Sequence, residues 1–204
     1  MSYRFDNRSK DQFKKDIYFA THLEKYFFNR WLEVAKGSDF INVTSWGDNG
    51  CGNDGEFIEK GNTSGADYKI SGELTMRGGS KRVVTDMPLE VKWVPTAGKF
   101  TLKKGDLKAY VRESANILFI YNSVKCGTDL RKPKDGDLEK HIERIENVNS
   151  QIRWGIMLAE KVKEFYDFHE QNSGFRPINY MGGKPGVVLR QSQFSDWFTE
   201  RAWG

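Results

Sequence analysis

The residues best suited to chemistry lie in Leu89-Glu90-Val91-Lys92-Trp93-Val94 and, upstream, in Gly65-Ala66-Asp67-Tyr68. Glu90-Val91-Lys92 is the one Glu-x-Lys in the chain. Its β-branched and aromatic neighbours predict a strand. Side chains of a strand alternate between faces, so Glu90 and Lys92 share one face while Leu89, Val91 and Trp93 enter a core on the other. A carboxylate and an ammonium on an otherwise apolar strand cost free energy to bury unless they find partners. With Asp67 on the neighbouring strand, two carboxylates and one ammonium converge. Two carboxylates are a starting set for Mg²⁺, which takes hard oxygen ligands and retains several waters. A lysine beside such an ion can orient a water or help deprotonate it, the chemistry that hydrolyses a phosphodiester. The competing reading is an ion pair on an exposed sheet face, which contributes little.

The elements that must position these residues follow from the flanking pattern. Residues 67–76 and 81–94 flank Arg77-Gly78-Gly79-Ser80, a turn signal that predicts a hairpin. Pro95 ends its second arm, because proline removes a ladder donor. A helix is predicted over 9–35, with Ser9 as N-cap, Gly37 as stop and Phe13, Ile17, Ala20, Phe27, Trp31 and Val34 as the apolar stripe. Glu24 falls within that stripe. It either sits at the edge and reaches water or points toward the paired acids; Glu33 is a weaker candidate for the same role. Residues 37–65 read as an irregular, turn-rich segment beside the cleft, and their acids do not fit the spacing of a Ca²⁺ loop. A short helix is predicted over 106–113 and a buried strand over 116–124. Beyond a basic linker at 125–136, an apolar stripe from Ile142 to Tyr166 predicts one long helix over 138–169, broken at most near Asn147-Val148-Asn149-Ser150. A loop at 181–186, a strand at 187–189 and a short aromatic helix around 194–203 complete the chain.

The acid on one strand and Glu-x-Lys on the next resemble the PD-(D/E)xK nuclease superfamily. Asp67, Glu90 and Lys92 match its three motif positions; Ala66 stands where the family has its leading proline. The resemblance covers roughly residues 10–125 and implies an α/β fold. This is a restriction-endonuclease-like core, a central mixed sheet flanked by helices, to which a long C-terminal helical region is added. The whole of 1–204 would be a single nuclease-like domain, with the elaboration at about 137–204. It further implies a metal-dependent deoxyribonuclease in which Asp67, Glu90 and the Val91 carbonyl hold Mg²⁺, with Mn²⁺ as substitute, and Lys92 positions the water. Many members also carry a helical Glu before the hairpin, here Glu24, which can bind a second metal or a metal-bound water and so takes part in catalysis. Residues on the helix after the Glu-x-Lys strand approach the site in this fold, which makes Lys108 and Tyr110 auxiliary candidates. The expected partner is double-stranded or branched DNA. The alternative is a non-catalytic nucleic-acid-binding or assembly protein on the same fold, and a third reading is an unrelated interaction protein.

Lys99, Lys103, Lys104 and Lys108 follow the motif strand and are candidate phosphate contacts. For any single one of them solvated surface is the better reading; it is as a group, close behind the motif strand, that they suggest phosphate contacts. Composition permits this partner without requiring it: 204 residues carry a net charge of +4, with 29% charged and 38% hydrophobic residues, enough for one globular core. No apolar run approaches a membrane span. His22, His141 and His169 lack metal-ligand spacing. Two cysteines, Cys51 and Cys126, make no framework; reduced thiols in the cytoplasm are the plain reading and a single disulfide is the alternative. The long helix reads as a scaffold element first and as a candidate homodimer surface second.

Overall fold

A computed structural model of the chain describes residues 9–49, 65–76, 78–95, 99–123, 130, 136–178 and 183–203. Both cysteines, most of the acid-rich loop after Asp48 and most of the basic linker lie outside the described residues.

The leading helix α1 (Lys10–Lys36) forms as its sequence dictates. The Ser9 side chain accepts a hydrogen bond from the Gln12 N–H, and Gly37 closes the other end. Its buried side is Phe19, Leu23, Phe27, Phe28, Trp31 and Ala35, whereas Ala20 is exposed. The apolar stripe is therefore rotated from the one the spacing suggests. Each of the largest of these side chains contributes roughly 1.5–3 kcal/mol by leaving water.

The next strands, β1 (Ile41–Asp48), β2 (Tyr68–Thr75) and β3 (Lys81–Val94), form an antiparallel meander. β1 is a correction: Ile41 to Asp48 lies in the segment expected to be irregular. The β2–β3 turn is the predicted one, with Gly78 and Gly79 at positive φ and the Met76 N–H donating to the Ser80 carbonyl. Two bulges shape the meander. Ile70 pairs with Met87 but Gly72 with Val84, so β3 carries one extra residue there. Asp86 sits at that point with φ 49° and donates its N–H to Ser71 Oγ at 3.0 Å. The bulge reverses the parity of β3. Val84 on one side of it and Leu89 and Val91 on the other all enter the same core. Without it, Glu90 and Lys92 would face that core instead. Gly72 lies at the same crossing, where a Cβ would stand 2.1 Å from the Asn42 carbonyl oxygen.

After β3 come β4 (Lys99–Lys103), α2 (Lys104–Glu113) and β5 (Asn116–Asn122). β5 runs parallel to β3, as a crossover through a helix requires, and is buried along its whole length. The expected long C-terminal helix is not there. The segment divides into α3 (Leu138–Glu146), the strand β6 (Ile152–Met157) and α4 (Ala159–Gln171). β6 pairs antiparallel with β5, so the free edge of a wholly buried strand is covered where the helical pattern would have left it open. The single helix over 138–169 that was to offer a dimer face is therefore absent. Then follow β7 (Arg176–Ile178), β8 (Lys184–Arg190), the short helix α5 (Phe194–Trp197) and β9 (Arg201–Ala202). β8 takes up part of the expected loop, and α5 is shorter than the predicted aromatic helix.

The result is an α/β architecture. The six-stranded mixed sheet has the order β1-β2-β3-β5-β6-β9; β4, β8 and β7 form a second, three-stranded antiparallel sheet. α1 and α3 pack on one face through Phe27, Trp31, Leu89, Val91 and Ile145. α2, α4 and the small sheet cover the other through Leu107, Tyr110, Ile117, Phe119 and Val162. No helix among the described residues is long and apolar enough to cross a membrane.

Candidate active site

The second face of β3 is where the charges lie. Glu90 and Lys92 stand beside Ile117 and Phe119 of β5, on the side covered by α2. Glu90 is only 4% exposed and the Lys92 side chain 29%. Lys92 Nζ and the Tyr110 hydroxyl both donate to Glu90 Oε1, the latter at 2.6 Å. The other oxygen, Glu90 Oε2, is buried with no hydrogen-bond partner among the described residues. An orphan carboxylate oxygen in a core is costly, and a cation is the partner that its charge suits.

Asp67 closes the site from β2. Its Oδ2 accepts the Val91 N–H at 2.9 Å. The ladder between β2 and β3 starts with Tyr68 opposite Leu89, so at Val91 it has already ended. In a strand a residue's N–H and C=O leave on the same side, which directs the Val91 carbonyl toward Asp67. The segment before β2 is tied down by residues that the sequence pattern did not single out. Glu113 Oε2 accepts the Ala66 N–H at 3.1 Å, and Asn49 donates its side-chain amide to the Ala66 carbonyl at 3.0 Å. Glu113 lies one helical turn beyond Tyr110, and that spacing was the available signal. Asn116 anchors the other side, donating to the Pro88 carbonyl and accepting from the Ala159 N–H.

The electrostatics tie Glu24 to the same group. Burial, and the Glu90 charge, raise its carboxyl to about 7 against the pull of Lys92. Burial raises Asp67 well above the usual carboxylate range, with the Glu90 and Glu24 charges adding to the effect. Lys92 moves the other way from a typical buried lysine. Burial favours its neutral form, but Glu90, Tyr110, Asp67 and Glu24 outweigh this and hold it firmly as an ammonium. Burial also raises the Tyr110 hydroxyl, so it remains a donor. Beyond burial, the three acids repel one another when ionised, which makes Glu24 and Asp67 hold protons more tightly still, and a divalent cation would relieve that repulsion. Among the described residues no three His, Cys, Asp or Glu groups stand close enough together to hold one ion as they are. Glu90 is instead turned onto Lys92 and Tyr110.

The remaining sequence candidates separate. Tyr110 reaches the site; Lys108, two residues earlier on α2, lies about 200° around the helix and is exposed. Glu33 is exposed and accepts from Arg30 at 2.6 Å. Lys103 lies 3.8 Å from Asp106 and Lys104 lies 2.5 Å from Glu170, both surface pairs. Lys99 is exposed on β4. The four lysines are thus spread over β4 and α2 and do not converge on the acids.

Compared with known protein families, curated proteins and solved structures, the chain matches none of them.

Proposed function

We propose that the chain is a metal-dependent deoxyribonuclease of the PD-(D/E)xK kind, built on a restriction-endonuclease-like core, and most simply an endonuclease. The observation that carries this is the joint placement of Asp67, Glu90 and Lys92: Asp67 on the Val91 N–H, and Glu90 and Lys92 together on the buried face of the same strand. A mere surface ion pair would be solvated, whereas Glu90 is buried with one oxygen unpartnered.

Asp67, Glu90 and the Val91 carbonyl would hold Mg²⁺ or Mn²⁺, an all-oxygen donor set that suits a hard cation. Bound there, the ion supplies Lewis-acid polarisation of the scissile phosphate. The residues of the chain do the rest. Lys92 holds the attacking water through its ammonium and neutralises the charge that develops on phosphate oxygens. Glu24, titrating at about 7, is matched to accept a proton from that water near neutral pH. Tyr110 fixes the Glu90 carboxylate by donating to Oε1. Water oxygen bonds to phosphorus as the bond to the leaving sugar oxygen breaks, and that oxygen is protonated from solvent.

One observation favours the second reading, a nucleic-acid-binding protein on the same fold that does not cut. Glu90 Oε1 is already engaged by Lys92 and Tyr110, an arrangement that needs no ion at that oxygen. Calorimetric titration with Mn²⁺ separates the two. Saturable binding that Asp67→Asn weakens at least about tenfold fits the nuclease. Absence of binding in a folded protein would leave the non-cutting reading in its place.

A further inference from the structure

At the opposite end of the sheet from Asp67 lies a cleft of about 1320 Å³, lined mostly by residues outside the hairpin. Thr75 borders it, eight residues along β2 from Asp67, or about 26 Å at strand rise. Its floor is aromatic: Phe40, Trp154, Trp197 and Trp203. Arg201, on the edge strand β9, reaches across that floor. Its guanidinium stands 4.0 Å from the Phe40 ring centroid and 5.5 Å from that of Trp154. Arginine stacks in this way on aromatic faces and leaves its planar edge of N–H donors free to recognise an oxyanion.

That edge is largely unused. A guanidinium carries five N–H donors; at Arg201 the hydrogen bond is from Nη1 to the Thr199 carbonyl at 2.9 Å. Among the described residues no carboxylate forms an ion pair with it, in contrast to the pairing of Arg30 with Glu33 and of Lys161 with Glu164 on the same rim. Of the two acids that line the cleft, Glu33 is taken up by Arg30 and Asp39 is exposed. Burial lowers the Arg201 pKa, the mark of a cation that has lost water without gaining a counter-charge. A half-buried, stacked guanidinium with no carboxylate partner among the described residues, over an aromatic floor, is an expensive arrangement for structure alone. Small-ligand sites combine such apolar walls with a few charged groups. Here Arg30 and Lys161 on the rim are already paired, which leaves Arg201 to orient the guest.

We propose that this cleft binds a small oxyanion-bearing molecule, a phosphate or carboxylate on a compact apolar body, with Arg201 as its principal contact. The guest is a small molecule rather than a nucleic-acid backbone, because the cation lies inside a concavity and not along an exposed stripe. The site stands independently of whether the hairpin cuts DNA.

The test is calorimetric titration of the full chain with three probes: inorganic phosphate, a nucleoside monophosphate and benzoate. Saturable binding of at least one probe, weakened at least tenfold in Arg201→Gln and unchanged in Lys92→Ala, is the expected result. Which probe binds distinguishes phosphate from carboxylate and shows whether the apolar body matters. No saturable binding of any probe up to about 10 mM, or binding that Arg201→Gln leaves unaltered, overturns the proposal. Should Arg201→Gln fail to fold, the wild-type chain still decides. A dicarbonyl reagent should modify Arg201 several-fold more slowly when a bound probe is present, read by mass spectrometry; an unchanged rate contradicts the site.

Discussion

Lys92 on the inner face of β3 and Lys108 on the outer face of α2 are the same side chain in opposite surroundings. Lys92 is bonded to Glu90 and lies over the Tyr110 ring, and the charges of Glu90, Tyr110, Asp67 and Glu24 together hold it as an ammonium. Lys108 faces solvent on a helix whose other side supplies Tyr110 to the site. The inner charge is partly desolvated, with its side chain 29% exposed, and its surroundings are screened less, so changes around it are felt more strongly. The outer charge is screened and replaceable. Burial, then, and not residue type, divides the residues that could perform chemistry from those that at most position a polyanion.

The most drastic way to break this contrast is to delete Asp86. The bulge would vanish and β3 beyond it would change parity, turning Glu90 and Lys92 into the core under α1 and Leu89 and Val91 out of it. Loss of cooperative thermal unfolding is expected; a variant that melts like the wild type would show that the bulge does not set the parity. Next in size are Asp67→Ala and Lys92→Ala. Each should keep its fold by circular dichroism and lower DNA cleavage by at least about 10³-fold.

The third effect is a pH dependence of stability without metal. Glu24 rises from 4.5 to about 7 in the folded chain, and Asp67 is raised as well. Between those values the folded chain binds more protons than the unfolded one, so stability is greatest below about 4.5 and falls as pH rises toward 7. The acids share this titration, which puts the loss on the order of 1–3 kcal/mol. Denaturant melts across that range should show the decline, and millimolar Mg²⁺ should reduce it. A flat profile would mean that the acids do not crowd one another.

Tyr110→Phe is milder. It removes one donor from Glu90 and should cost about 1 kcal/mol in denaturant unfolding together with about tenfold in Mn²⁺ affinity. Smallest is the effect at the surface. Lys99→Ala and Lys108→Ala should each change DNA affinity only a few-fold and reduce the salt slope by at most about one counterion. An outer-face lysine whose removal abolished cleavage would reverse the comparison.

Much of the site was legible because its signals are local. The Ser9 cap, the Gly78-Gly79 turn and the alternation from Leu89 to Trp93 each fix geometry within a few residues, and together they place Asp67 beside Glu90 and Lys92. What was not legible depends on distant partners. Ile152, Ile156 and Ala159 continue a helical stripe, yet Ile152, Trp154 and Ile156 also alternate. The open edge of β5 decides for a strand. Gly155 fits that outcome, since a Cβ there would lie 2.3 Å from the Phe198 ring. β1 escaped notice because its bulge between Val43 and Ser45 interrupts the alternation, bringing Val43 and Trp46 to the same face. The helical stripe marked Glu24 as anomalous, and it belongs to the acidic group. The lysines were adjacent in sequence, but a strand and a helix send them in different directions.

The most direct measurement is cleavage of supercoiled plasmid by the purified chain, with Mg²⁺, with Mn²⁺ and with chelator, beside Lys92→Ala. We expect metal-dependent nicking or linearisation that disappears with chelator and in the variant. Cleavage that persists in Lys92→Ala, or a folded wild-type chain that neither binds metal nor cuts plasmid or branched DNA, would contradict the assignment of Asp67, Glu90 and Lys92 as a nuclease site.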